Sequence, residues 1–320
     1  MTRRWRVGAI TAATLAGSLA PWLLSPFEIS LAAKAFTFAL FALGLDLIWG
    51  LGGILSFGQA AFFGLGAYAL GILTRDLPDA GILGLVAAVG IPALLALALG
   101  YFTFYGRVSG AYFAIITLAV SLILTQTAQT WVELTGGHNG LYPVPFLTVS
   151  VPGLGGFGFD SDVDMYYLAF GVLLVVFLLL RRLARSGFGQ ALAALSEDEL
   201  RLQFLGYDTR QLRLIAFTLS GALGGLAGGL YASQVGFVNP TVLGLTLSTQ
   251  VIVWVALGGR GTLVGPIVGA LVVSFVEDYL SDVLVNVWVL VLGILVLLVT
   301  LFRPAGLLGS SRVQRFVGLR

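Results

Sequence analysis

The 320-residue chain is 58% hydrophobic and 10% charged, with a mean hydropathy of +1.00. No soluble core hides such an apolar surplus from water, so a soluble domain, a disordered chain and a nucleic-acid-binding domain all fit poorly; the absence of cysteine argues against a disulfide scaffold. The formal charge of +2 is small, and where the charges sit is more informative than their sum.

Apolar runs near 9–25, 30–50, 54–73, 84–103, 108–130, 164–180, 214–233, 246–258, 263–280 and 286–302 predict an all-α, polytopic membrane protein. About 20 apolar residues cross about 30 Å of hydrocarbon, so these runs amount to about ten segments. The first follows Arg3, Arg4 and Arg6 and imitates a secretory signal peptide, but ten crossings require it to be retained. The eighth, 246–258, is short and reads as a tilted or broken helix ending at Gly258–Gly259. With the N-terminus inside, every basic residue except Lys34 and Arg75 falls on the inner side, while Asp76, Asp79, Glu133, Asp160, Asp162 and Asp164 fall outside. This positive-inside pattern places both termini in the cytoplasm.

The chain thus reads as one transmembrane domain, 1–320, with an outer loop at 131–163 and a charged inner loop at 181–213. Turn-forming glycines in the outer loop predict an ordered surface loop. In the inner loop, Ala191–Leu205 has enough helix formers for one amphipathic helix at the membrane surface.

No Walker A loop, dinucleotide fingerprint or paired-cysteine metal site is present, so no catalytic residue and no metal site is expected. His138 has no neighbouring second histidine or cysteine to make a metal site. Asp46, Glu277 and Asp278 each lie near a predicted span end and read as interface or pairing groups rather than as a proton relay.

The segment from Gly50 to Tyr68, containing Gly52-Gly53-Ile54-Leu55-Ser56-Phe57-Gly58-Gln59, resembles the signature of membrane permeases in the branched-chain amino acid class of bacterial ABC importers. That class also includes transporters of urea and short amides. Gln59 stands where the family often has histidine, which keeps a polar group and gives up titration. Leu134–Leu141, Leu205-Gly206-Tyr207 with Leu214–Ser220, Gly221–Gly229 and Gly258–Gly265 extend the resemblance through most of the chain.

The resemblance implies a subunit in the bacterial inner membrane, embedded in lipid. It would pair with a second related permease, an outer solute-binding protein and two cytoplasmic ATPase subunits that use ATP and Mg. This chain itself would bind no cofactor and no nucleic acid. Arg260-Gly261-Thr262-Leu263 looks closer to the urea branch, which makes urea the leading expectation and branched-chain amino acids or short amides the alternative. An autonomous secondary transporter or channel is the competing class.

Within this reading, Gln59, Ser121, Thr125, Gln126 and Gln250 are the candidate solute pathway, a neutral lane of amides and hydroxyls suited to a small uncharged solute. Packing roles compete with it, because hydroxyls inside membranes often bond backbone carbonyls. Glu197, Glu199, Arg201 and Gly206 are the candidate ATPase-coupling residues. Gly221, Gly225 and Gly229, with Gly265 and Gly269, are expected to let helix backbones approach.

Overall fold

The computed structural model describes residues 17–77, 80–108, 110–151, 155–283 and 306–308, with Gly293. The second to ninth expected segments are helices, while the first and tenth, 9–25 and 286–302, lie largely outside the described residues. Helix α1 (Pro26–Leu45) continues into a π-helical turn, Asp46–Leu51. There follow α2 (Gln59–Asp76), α3 (Gly81–Tyr105), α4 (Ala111–Thr130) and a short α5 (Val132–Thr135). After the outer loop come α6 (Asp162–Arg185), α7 (Gly187–Glu197), α8 (Glu199–Phe204), α9 (Thr209–Val235), α10 (Leu245–Gly258) and α11 (Val264–Val283). Among the described residues, five stretches are long and apolar enough to cross a membrane alone: Pro26–Leu51, α3, α4, α6 and α9. Among the described residues, the fold is all-α except for one short strand pair. In the outer loop, β1 (Thr148–Val151) and β2 (Gly155–Gly158) form an antiparallel pair with Val149 opposite Phe157, satisfying backbone groups that no helix takes up.

Local chemistry sets the helix starts. Ser25 caps α1: its hydroxyl oxygen accepts the Glu28 N–H, and the Glu28 carboxylate accepts the Ser25 N–H at 2.8 Å, a reciprocal capping box. Ser161 caps α6, which carries Asp162 and Asp164 in its first turn and Arg182 and Arg185 in its last, opposite in sign to the dipole at each end.

Helix α9 is the centre of the bundle and packs against α1, α2 and α3. Its small residues allow this. Gly221 meets Ala96, Gly225 meets the Ala88 carbonyl and Pro92, and Gly229 meets Ala88, all on α3. On the adjoining face Gly228 abuts the Phe63 carbonyl of α2, and Gly66 of α2 abuts Gly225. Gly265 lies against the Gly259 carbonyl and Gly269 against that of Trp254, bringing α11 onto α10. Lipid tails are as apolar as leucine, so close backbone approach supplies attraction that hydrophobicity cannot.

The end of the bundle that carries the inner loop is locked by Asp46. Its side chain is fully buried, not at a polar boundary, and its carboxylate accepts the Gly261 N–H at 2.6 Å and the Leu263 N–H at 3.1 Å. The Arg260 guanidinium lies 5.7 Å from the centre of the Trp49 ring, a cation–π contact across the same junction. The turn between α10 and α11 is thereby tied to the π-helical end of α1.

Two stability outcomes follow. Gly228→Ala would drive a methyl group into the Phe63 carbonyl and should cost about 1–3 kcal/mol, whereas Gly90→Ala on α3, with no atom within 4 Å, should be neutral or slightly stabilising. Thermal unfolding of both variants in detergent checks the contrast. Asp46→Ala strands the buried Leu263 N–H at about 1–3 kcal/mol and the part-buried Gly261 N–H at less, and Asp46→Asn, which keeps one acceptor, should fall between it and the parent chain. An Asp46→Ala chain as stable as the parent would show that the clamp does not hold the turn.

Candidate functional site

Helix α10 is too short to cross the hydrocarbon as an ideal full span, and α2 is at the short end of the spanning range. At 1.5 Å per residue, α10 reaches about 21 Å and α2 about 27 Å. Each is preceded by non-helical backbone, residues 52–58 and 236–239, the latter leading into a 3₁₀ turn at Pro240–Leu243. The two helix starts meet inside the bundle. Phe57 N–H donates to the Thr117 hydroxyl at 3.2 Å, Gly58 N–H to Ser56 at 3.3 Å, and Ala60 N–H to the Ser248 hydroxyl at 3.0 Å. The Ser121 hydroxyl donates to the Leu243 carbonyl. At the other end of residues 236–243, Leu141 and Val238 exchange backbone bonds of 2.7 and 3.1 Å, and Val144 N–H donates to the Gly236 carbonyl at 2.9 Å. The outer loop therefore holds the stretch that leads into α10.

These bonds decide where the five candidate pathway residues stand. Gln59 is fully buried, and its Nε2 donates to the Ser220 hydroxyl oxygen at 2.9 Å and to the Ser220 carbonyl at 3.3 Å. Ser220 in turn donates to the Gly44 carbonyl at 2.6 Å, so three helices share one polar chain. Ser121 is committed to Leu243, and Thr125 donates to the Ser121 carbonyl at 2.8 Å. Gln126 is exposed on another face of α4. Gln250 donates to Glu277 at 3.3 Å. The structure does not gather the five into one lane. The hydroxyls serve the backbone, since an unpaired peptide group in hydrocarbon costs several kcal/mol.

Two cavities flank the start of α10. One, of about 750 Å³, opens at the end carrying the inner loop and is bordered by Gly53, Phe57, Phe113, Leu118, Glu197 and Leu245. The other, of about 560 Å³, lies between α1, α10 and α11 and is bordered by Lys34, Phe38, Thr246, Gln250, Ser274 and Glu277. Leu245 faces the first, while Thr241, Val242, Thr246 and Leu247 face the second, so the start of α10 is a wall of both. The second cavity carries charges of both signs, a feature the neutral reading of the pathway missed. Lys34 and Glu277 are distant in sequence, and only the packing of α1 on α11 brings them together.

The inner loop is two helices where the sequence predicts one. Asp198 is extended, and its carboxylate accepts the Arg201 N–H at 3.0 Å, ending α7 and starting α8. Glu199, Arg201, Glu197 and Gly206 part company here. Glu199 turns inward: it pairs with Arg213 of α9 at 2.5 Å and accepts the Thr209 hydroxyl at 3.1 Å and the Gln203 amide at 3.3 Å. Glu197 and Arg201 are exposed. Gly206 has φ +88° with nothing near its Cβ position, so a β-branched side chain there would be strained by the backbone alone. The surface between them is apolar. Leu200, Phe204, Leu205 and Tyr207 are exposed, Phe204 by 90% and Leu205 by 70%. Charge patterning drew attention away from these four. On the opposite side of the loop, Leu192 and Ser196 of α7 pack on Gly52 and Gly53, the backbone that follows the Asp46 turn.

The family model described as "Branched-chain amino acid transport system / permease component" matches residues 28–300. The high-affinity branched-chain amino acid transport system permease protein LivM of Escherichia coli K12 is 31% identical over 314 residues, covering 92% of this chain and 73% of that one. BraD of Pseudomonas aeruginosa, with the same description, is 28% identical over 294 residues, 87% of this chain and 94% of its own. LivH of Salmonella typhimurium is 26% identical over 293 residues, covering 87% and 93%. No solved structure matches. The chain belongs to the family of branched-chain amino acid transport system permease components.

Proposed function

We propose that this chain is one of two permease subunits in an ATP-driven importer of branched-chain amino acids, set in a bacterial inner membrane with both termini in the cytoplasm. The observation that carries the ATP-driven part is the apolar crest of Leu200, Phe204, Leu205 and Tyr207, held on a hydrogen-bonded turn at the basic end of a chain with no nucleotide-binding motif. An exposed apolar patch on a rigid turn is suited to a soluble partner, here two ATPase subunits that bind ATP and Mg. A second permease and an outer solute-binding protein complete the assembly in this reading.

Branched-chain amino acids take the place of urea as the leading solute. The relatives covering most of the chain carry that substrate in their names, and the mixed-charge cavity suits a solute with two charged ends better than a neutral diamide. The route from the ATPases to the membrane would run through α7, by way of Gly52 and Gly53, to the Asp46 clamp and the turn into α11.

For the solute, ATP-driven uptake by the reconstituted importer is compared for leucine, urea and acetamide. Leucine should be preferred, and preferential uptake of urea would overturn the assignment. For coupling, Phe204→Asp should cost ~2 kcal/mol or more of ATPase-subunit affinity, as for a buried interface anchor, and lower solute-stimulated ATP hydrolysis while the membrane chain stays folded. Normal ATPase association in that variant would remove the crest from the interface.

A further inference from the structure

The mixed-charge cavity is bordered by half-buried Lys34, Glu277 and Asp278, and Lys34 and Glu277 do not close on each other. Lys34 is eight residues beyond the start of α1, and Glu277 six before the end of α11, so neither is at a helix end. Ionisable groups at such positions are costly and, as a rule, face an interior partner. Yet Lys34 and Glu277 border one cavity without forming an ion pair. Lys34 instead rests its ammonium 5.7 Å from the centre of the Phe38 ring, and Glu277 accepts a 3.3 Å bond from Gln250. Between them is a space of about 560 Å³, within the range of small-molecule sites, walled on other sides by Phe38, Phe63, Val242 and Leu247. A second hollow of about 610 Å³ shares Leu31 and Asp278 with it and leads past Ser25 and Glu28, toward the end opposite the inner loop.

We propose that this cavity is a binding site for the zwitterion of the transported amino acid, with Lys34 taking the α-carboxylate, Glu277 the α-ammonium, and the apolar wall the branched side chain. The site rests on the amino-acid reading of the function. A zwitterion supplies each charged group with the partner the other does not give it, and it carries no net charge into the bundle. Gln250 acts as a positioning residue, holding the Glu277 carboxylate through its amide. The wall formed by Val242 and Leu247 belongs to the 3₁₀ turn and the start of α10 that follows it, where Leu245 borders the cavity at the other end. A bound solute therefore rests against the segment that separates it from the inner cavity.

The test uses the assembled importer without its solute-binding protein, in phosphatidylcholine vesicles, and reads saturable binding of labelled leucine. In the parent complex, 4-methylpentanoate, which lacks the ammonium, and leucinamide, which lacks the carboxylate, should compete at least about tenfold less well than leucine, the loss of one charge-assisted hydrogen bond. Glu277→Gln should abolish the preference for leucine over 4-methylpentanoate and keep that over leucinamide; Lys34→Gln should do the reverse. A readout that leaves both charges in place comes from Thr246→Cys, which puts a single thiol on the cavity wall of a chain that has no cysteine. Leucine should slow its alkylation, and the two analogues should not. Unchanged discrimination in both charge variants, or alkylation of Thr246→Cys indifferent to leucine, would overturn the site. So would protection by phosphatidylethanolamine in place of leucine, which would assign the same charges to a lipid headgroup. If the complete importer takes up leucine while these variants behave as the parent, only the site falls; if it takes up urea instead, the amino-acid reading itself fails.

Discussion

Broken helices inside a membrane bury peptide groups that no helix turn can pair, and the rest of this bundle is arranged around that debt. Hydrocarbon offers no hydrogen bonds, so non-helical backbone at that depth survives only where protein surrounds it. The starts of α2 and α10 solve the problem jointly. Ser248 of α10 accepts the Ala60 N–H of α2, Thr117 of α4 accepts that of Phe57, and Ser121 of α4 donates to Leu243 just before α10. Each hydroxyl contributes one bond of modest net value, but leaving its partner unmade would cost several times more. The same bonds fix where three helices meet, which is why the two cavities end on either side of the start of α10.

The second organising contact is Asp46. A carboxylate without a nearby ion-pair partner would be an expensive thing to bury, yet two backbone N–H groups and the nearby Arg260 make the position tenable. Its carboxylate holds the turn that joins α10 to α11. Its own π-helical turn runs into Gly52 and Gly53, on which α7 packs. One continuous set of contacts thus joins the inner loop to α1, α10 and α11, the helices that border the mixed-charge cavity. π-Helical turns often occur where function demands an interrupted helix, and this one lies at the junction of that path.

Close helix approach supplies the third element. Glycines on two faces of α9 admit α3 and α2 at once, and Gly265 and Gly269 admit α11 to α10. Backbone contacts of this kind have little freedom to yield, because the groups in contact are carbonyls rather than flexible side chains. The glycine-lined helices thus pack backbone against backbone.

Much of this was legible in the sequence. Hydropathy marked the helices, because a span must be apolar over its whole length. The short eighth run marked a short helix, since 13 residues at 246–258 fall well below a crossing. Glycine spacing marked the close-packed faces, and motif order marked the family. The partners of individual polar groups were not legible. Gln59 and Ser220 are 161 positions apart, Asp46 and Leu263 are 217 apart, and Lys34 and Glu277 come from helices near opposite ends of the chain. A hydroxyl in an apolar run reads alike whether it faces a solute or plugs a helix start, and Glu199 reads as a surface charge until Arg213 is placed beside it. Span positions depend on local composition, which the sequence by itself determines; polar pairing depends on which helices become neighbours, and only the tertiary structure decides that.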